Sequence, residues 1–146
     1  MTAFAGFEMP LWYKGVMPEH LAVRNTVGFF DISHMGRITI EGADSAPFLN
    51  YVITNDVSRL SPGSAQYSVM CNEKGGIVDD FVVYRLEEQK FMFVSNATNR
   101  EKDYDWLARN AKNFNVKMKE ISDDVTMFAV QGPNAEKTLQ RISTED

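Results

Sequence analysis

Two adjacent acids, Asp79 and Asp80, are the residues of this sequence best placed to do chemistry. They follow a glycine turn and stand near the start of an apolar stretch, IVDDFVVYRL. On an apolar surface, desolvation raises the pKa of a carboxyl group unless it is hydrogen-bonded or paired, and such a group can hold a proton or stabilise a cation. The simpler alternative is that both acids are solvated residues beside a hairpin.

The acids lie in the second of three predicted strands, at residues 64–71, 77–86 and 90–96. Hydrophobic and aromatic residues alternate within each run, and turn residues such as Gly75 and Gly76 separate the runs. This pattern predicts an antiparallel meander.

Side chains alternate between the two faces of a strand, so the meander divides its residues into two sets. One face is predicted to carry Asp80, Val82 and Tyr84 on the second strand, and Met92, Val94 and Asn96 share a face on the third. Asp79 points to the opposite face from Asp80. A sheet face with a carboxylate, an amide and a phenol among apolar side chains is typical of a small-molecule site.

The composition favours an ordinary globular protein and argues against two kinds of partner. Of the 146 residues, 44% are hydrophobic and 24% are charged, with a formal net charge of -5. Nucleic-acid binding requires a basic face, which this charge argues against. No apolar run is long enough to span a membrane, and the N-terminus does not read as a signal peptide.

Cysteine and histidine usage argues against a metal site. Cys71 is the one cysteine, so the sequence predicts neither an internal disulfide nor a thiolate cluster. His20 and His34 are too few to complete a site with it, because structural zinc usually needs four ligands. We expect a reducing compartment, the cytoplasm, or the mitochondrial matrix in a eukaryote.

The remaining elements predict the fold class. Helices are expected at residues 19–27, 46–52, 99–113 and 135–142, and further strands from residue 29 and at 37–41, 116–120 and 125–131, after an irregular aromatic arm at 1–17. Together they predict an α+β fold, an antiparallel sheet built from the three-strand meander and further strands, with helices packed on it. From the length, we expect residues 1–146 to form a single domain.

Five blocks of the sequence carry a family resemblance. In order, they are FAGFEMPLWY, VGFFDISHMG, ITNDVSRL, NEKGGIVDDFVVY and FAVQGPNA. Over nearly the whole chain, they resemble the T-protein of the glycine cleavage system, a tetrahydrofolate-dependent aminomethyltransferase. The resemblance implies a T-protein-like N-terminal folate-binding domain. It also implies that a one-carbon unit passes from the aminomethyl-lipoyl group of the H-protein to tetrahydrofolate, with release of ammonia.

The same resemblance implies roles for particular residues. The second acid of the family's acid pair matches Asp80, which would orient the folate amines and stabilise a developing iminium or ammonium group. The implied folate-contacting residues are Met35, Tyr67, Val82, Tyr84, Val94 and Asn96. Asp79 would point away from the folate, and no metal is implied.

The resemblance leaves alternatives open, because the chain matches only the N-terminal part of the much longer family members. The folate pocket is then expected to need tyrosine, glutamate and arginine residues from later sequence. A related folate-dependent demethylase is one alternative. A folate-binding or iron–sulfur-assembly relative without transferase chemistry is another. A third is an inactive half enzyme whose aromatic arm, from Phe4 to Tyr13, is exposed.

Overall fold

The structure, a computed structural model, describes residues 1–144 as nine strands and four helices. The strands are β1 (Thr2–Phe4), β2 (Phe7–Met9), β3 (Gly28–Asp31), β4 (Gly36–Glu41), β5 (Ala65–Cys71), β6 (Ile77–Glu87), β7 (Lys90–Ser95), β8 (Lys117–Glu120) and β9 (Phe128–Gln131). The helices are α1 (Val16–Asn25), α2 (Ser45–Val52), α3 (Arg100–Asn110) and α4 (Ala135–Leu139). One unit is Met35–Val125, and the second joins Met1–His34 to the described residues from Thr126 onward.

The Met35–Val125 unit is built on a five-stranded antiparallel sheet in the order β5-β6-β7-β4-β8. Its first three strands are the predicted meander, which is confirmed with strand ends that differ by about one residue from those expected. Between β5 and β6, Gly75 takes a φ of 79°, a left-handed conformation that glycine adopts without steric cost. This tight turn sets the register that brings the acid pair opposite β5.

One face of that sheet forms the core of the unit. The side chains of Phe81, Val83 and Phe93 are at most 3% exposed and pack with residues of α2 and α3, such as Phe48 and Leu107. Burying one such side chain stabilises a fold by about 1.5–3 kcal/mol. Alternating burial along β6 follows from this, because every second residue points into the core and the residues between them do not.

The second unit contains a hairpin that the sequence analysis missed. Residues 1–17 were predicted to be irregular, whereas β1 and β2 pair as antiparallel strands. Ala5 and Gly6 connect them with positive φ angles of 50° and 83°, the backbone twist that two-residue hairpin turns favour. Alanine is uncommon in that conformation, so the usual turn signal was lacking. Within this unit the rings of Phe4 and Phe7 pack on His34.

Helix boundaries also differ from those predicted. Helix α1 begins at Val16, so Pro18 lies in its first turn, where no backbone hydrogen bond is lost. Helix α3 is shorter than expected because 3₁₀ turns flank it at Ala97–Asn99 and Ala111–Asn113. In the chain from residue 1 to 144, none of the helices combines the length and the apolar character needed to cross a bilayer.

The last strand and the last helix are shorter than predicted. Strand β9 begins at Phe128, three positions after the expected start at Val125, and pairs with β3. Helix α4 ends at Leu139 instead of Ile142. Element ends are the least reliable part of a prediction from sequence, because frayed turns satisfy only part of the helical pattern.

Candidate functional site

Strand register brings most of the predicted site residues onto one face of the sheet. Tyr67 pairs with Val82 across β5 and β6, and Val82 pairs with Val94 across β6 and β7. Side chains of directly paired residues lie on the same side, so these three form a row across three strands. Asp80 and Tyr84 flank Val82 at alternate positions of β6 and share its face. This face is the one opposite the helices α2 and α3.

Two donors hold the carboxylate of Asp80. The phenol of Tyr67 donates a hydrogen bond to Oδ2, and Nδ2 of Asn96 donates to Oδ1 at 3.2 Å and lies 3.0 Å from the backbone oxygen of Asp80. The hydrogen bond to Asp80, together with desolvation and the negative charges of Asp80 and Asp79, raises the pKa of Tyr67 above its usual value of 10.0. The phenol therefore stays protonated near neutral pH and remains a donor.

This arrangement suits the recognition of an N–H donor or a cation. A carboxylate offers about four lone-pair sites, and the two donors leave acceptor capacity on both oxygens of Asp80. The half-buried side chains of Val82 and Tyr84 lie beside it, and Val94, in the same row, is buried at 2% exposure. An acceptor of fixed orientation beside apolar surface is the composition of sites for planar, nitrogen-containing small molecules.

Asp79 lies on the opposite face, as strand alternation predicted, and its side chain is buried at 5% exposure. Its Oδ1 accepts hydrogen bonds from Nδ2 of Asn99 at 2.8 Å and from Nδ2 of Asn96 at 3.1 Å. Burial raises the pKa of Asp79, but the hydrogen bonds from Asp103, Asn96 and Asn99 outweigh this effect and hold the pKa below its usual value. Asp79 is therefore a buried carboxylate that stays ionised.

Asp103 is the functional candidate that the sequence analysis missed. It lies in the first half of α3 with no exposed surface, against the side chain of Asp79. Burial, followed by the hydrogen bond and charge of Asp79, raises the pKa of Asp103 to about 8. A signal was present in the sequence, since Asp103 stands four residues before Leu107, on the helix face where Tyr104, Leu107 and Ala111 form an apolar stripe. An acid on that stripe is either buried or paired.

Asn96 links the two faces of the acid pair. Its side-chain amide contacts both Asp79 Oδ1 and Asp80 Oδ1 and makes no cap hydrogen bond to the 3₁₀ turn that follows. Asn96 follows the last residue of β7, where the chain leaves the sheet and a side chain can reach both faces. The two carboxylates hold the amide in place of a cap contact, because hydrogen bonds to charged acceptors are the stronger ones.

Met35 is placed at the same end of the sheet by register. It precedes Gly36, which pairs with Ser95, so Met35 lies beside the end of β7. Its carbonyl accepts a hydrogen bond of 2.9 Å from the buried guanidinium of Arg37, which also donates to the carbonyl of Val125 at 2.8 Å. These hydrogen bonds hold the backbone at Met35 in place. Tyr67, Asp80 and Asn96 are joined by direct side-chain hydrogen bonds, whereas Met35 is brought near them by its position in the sheet.

Comparison with known proteins gives close matches over the whole chain. The aminomethyltransferase of Thermotoga neapolitana is 51% identical over 97% of this chain and 39% of its own length. That of Thermosipho melanesiensis is 49% identical over 100% of this chain and 40% of its own length. A crystal structure of the glycine cleavage system aminomethyltransferase T from Bartonella henselae superposes with a TM-score of 0.90 at 40% identity, covering 96% of this chain and 38% of that one.

These matches establish the fold and the family. The chain spans about two fifths of the length of the curated relatives it matches. The structural match confirms the α+β prediction of an antiparallel sheet with helices, in the arrangement of a T-protein N-terminal region. The family model described as the GCVT N-terminal domain matches residues 1–146. The chain therefore belongs to the GCVT N-terminal domain family.

Proposed function

We propose that this chain is the N-terminal part of a tetrahydrofolate-dependent aminomethyltransferase of the glycine cleavage system. The complete enzyme moves a one-carbon unit from the aminomethyl-lipoyl H-protein to tetrahydrofolate and releases ammonia. The observation that carries the proposal is the Asp80 carboxylate, held by Tyr67 and Asn96 on an apolar sheet face. The identity of about half of all positions to proteins named aminomethyltransferase supports it.

Asp80 is the proposed catalytic residue. Its carboxylate accepts hydrogen bonds from the N–H groups of the folate and stabilises positive charge on the nitrogen as the one-carbon unit is transferred. A fixed negative group gives this stabilisation without reorganising, which is the main source of electrostatic catalysis. Its two donors, Tyr67 and Asn96, orient it and are not themselves expected to exchange protons with substrate.

The remaining proposed folate contacts divide by chemistry. Val82, Val94 and Met35 would provide apolar surface for the ring system, and the aromatic ring of Tyr84 would pack beside it. Tyr67 and Asn96 would contact both Asp80 and the ligand. Tetrahydrofolate is the acceptor of the one-carbon unit, and lipoylated H-protein is the proposed protein partner. We propose no role for a metal, nucleic acid or membrane.

Binding of tetrahydrofolate is the first test. We would titrate the chain with tetrahydrofolate and follow its tryptophan and tyrosine fluorescence, with Asp80→Asn as the variant and Asp105→Asn as the control. Asp105 is exposed on α3, away from Asp80. We expect Asp80→Asn to weaken binding by roughly tenfold or more, because hydrogen bonds to charged groups are strong. Equal affinity in the wild type and Asp80→Asn would contradict the assignment.

The activity itself is tested in a chimera. Because the chain spans 39% of the Thermotoga neapolitana relative, it would replace the matching part of that protein. We expect the chimera to release ammonia from aminomethylated H-protein in the presence of tetrahydrofolate, and Asp80→Asn to abolish this release without loss of folding. Turnover of a methylated sulfur or nitrogen compound without ammonia release would instead show the demethylase. Near-normal turnover in Asp80→Asn would refute its catalytic role.

A further inference from the structure

Behind Asp80 lies a buried pair of acids that the proposed mechanism does not use. Asp79 and Asp103 are 5% and 0% exposed, on β6 and α3. Apart from each other, Asp79 Oδ2 and both side-chain oxygens of Asp103 are buried without a partner among the donors that the described residues supply. Two ionised carboxylates do not pack together in a dry interior, whereas one proton between them removes one of the two charges and gives Asp79 Oδ2 a donor.

The contacts around the pair determine which acid holds the proton. Asp79 Oδ1 already accepts hydrogen bonds from Asn99 and Asn96, which favour its charged form. Burial and the neighbouring negative charge of Asp79 disfavour the ionised form of Asp103. The charged groups that act on Asp103 are Asp79 and Asp80 from β6, and Lys102 from α3 itself. Lys102 donates to the carbonyl of Val78 at 2.6 Å, so its ammonium group is held near the strand carrying Asp79.

We propose that Asp103 is a buried, protonated carboxylic acid that donates a hydrogen bond to Asp79 Oδ2, and that this pair positions Asn96 and through it the Asp80 carboxylate. The pair then carries one proton and a single negative charge. Asp79 is held from one side by Asp103 and from the other by the two asparagine amides, so its Oδ1 stays aimed at Asn96. Asn96 in turn donates to Asp80 Oδ1. Asp103 is a positioning residue that acts from the side of the sheet opposite the ligand.

This inference deepens the proposed function and rests on it only for the ligand. The positioning of Asn96 and Asp80 is a property of the free chain. Loss of the Asp103 proton would place a second negative charge against Asp79 and disturb the Asn96 amide. The proposed site is therefore expected to lose its arrangement in alkaline solution.

Nuclear magnetic resonance on the free chain tests whether Asp103 is protonated and whether its protonation state affects Asn96. We would follow the side-chain carboxyl carbon of Asp103 and the side-chain amide of Asn96 from about pH 4 to pH 10. The expected result is a single titration step near the Asp103 pKa of about 8, shared by both signals. In Asp103→Asn, whose amide can also donate to Asp79, the Asn96 step disappears. Titration of Asp103 near the ordinary aspartate pKa of 3.8 would overturn the proposal. An Asn96 signal that does not change when Asp103 titrates would also overturn it.

Folate binding tests the consequence for the ligand. We expect Asp103→Leu, which fills the space without a donor, to weaken tetrahydrofolate binding by roughly tenfold or more, as for loss of a hydrogen bond to a charged group. Asp103→Asn should bind tetrahydrofolate as tightly as the wild type at pH 7, and it should not show the loss of affinity that the wild type shows above pH 8. Asp105→Asn should match the wild type at every pH. Equal affinity and pH profile in all variants would refute the positioning role. If folate binds neither the wild-type chain nor the chimera, the proposed function fails, whereas the resonance titration still shows whether Asp103 is protonated and whether its titration affects Asn96.

Discussion

The buried acid Asp103 predicts an unusual dependence of stability on pH. Its pKa is about 8 in the folded chain and 3.8 as an ordinary aspartate. Between these values the folded chain keeps a proton that the unfolded chain has released. A group whose folded pKa is raised stabilises the fold at low pH, and this stabilisation is lost as the pH rises toward the folded pKa. The free energy of unfolding therefore falls with pH in this window.

The slope follows from the number of protons involved. One proton held by the folded state and absent from the unfolded state changes the free energy of unfolding by about 1.4 kcal/mol per pH unit. Between about pH 5 and pH 7 the loss amounts to roughly 3 kcal/mol, a large part of the total stability of about 5–15 kcal/mol that is usual for a domain. This slope does not depend on the folded pKa, provided that it lies well above pH 7.

The perturbation that tests this slope is Asp103→Asn, which removes the titrating group and keeps a donor for Asp79. We would measure urea unfolding of both proteins at several values between pH 5 and pH 9. The difference between them isolates Asp103, because His20 and His34 are present in both. We expect the variant to gain about 1.4 kcal/mol relative to the wild type for each pH unit between pH 5 and pH 7, and to be the more stable protein in alkaline solution.

Two further variants make the result unambiguous. Asp105→Asn removes an exposed carboxylate from the same helix and should leave the wild-type slope unchanged. Asp79→Asn removes the neighbouring charge that helps to raise the pKa of Asp103, so the loss of stability should begin at the same pH and end at a lower one. A stability difference between the wild type and Asp103→Asn that stays constant from pH 5 to pH 9 would show that Asp103 is ionised in the fold, and would refute the reasoning.

Three other predictions concern the site and the packing that supports it. Tyr67→Phe removes one of the two donors to Asp80 and should weaken tetrahydrofolate binding by roughly tenfold with unchanged thermal unfolding, since the phenol is half-exposed; identical affinity would exclude a role for it. In Asp80→Asn, spectrophotometric titration should show the phenol of Tyr67 ionising at lower pH than in the wild type, because its main pKa-raising contact is with Asp80; an unchanged midpoint would show that this contact is absent in solution. Gly42→Ala should lower the free energy of unfolding by roughly 2–4 kcal/mol, because Gly42 has a φ of 136° and a Cβ would lie 2.4 Å from the Asn115 carbonyl oxygen; denaturant unfolding within about 0.5 kcal/mol of wild type would contradict the close approach.

Local sequence patterns determined the strands that carry the site and the faces of their side chains. Alternation is a local property, so it separated Asp80 from Asp79 before any tertiary contact was known. The glycine turn between β5 and β6 indicated a hairpin for the same reason. The hairpin of β1 and β2 is the opposite case. Its turn begins at Ala5, which has a positive φ angle, and alanine is not a residue type that indicates a turn.

Only the tertiary structure decided which groups meet the two acids. Strand register brought the phenol of Tyr67 to Asp80, and the docking of α3 on the core brought Asp103 to Asp79. Both contacts join segments that are separate in the chain, and their geometry depends on packing that no local period encodes. The same packing removes water from Asp103 and so sets its pKa. The chain itself specified where the carboxylates point, and the fold decided which of them is charged and what holds it.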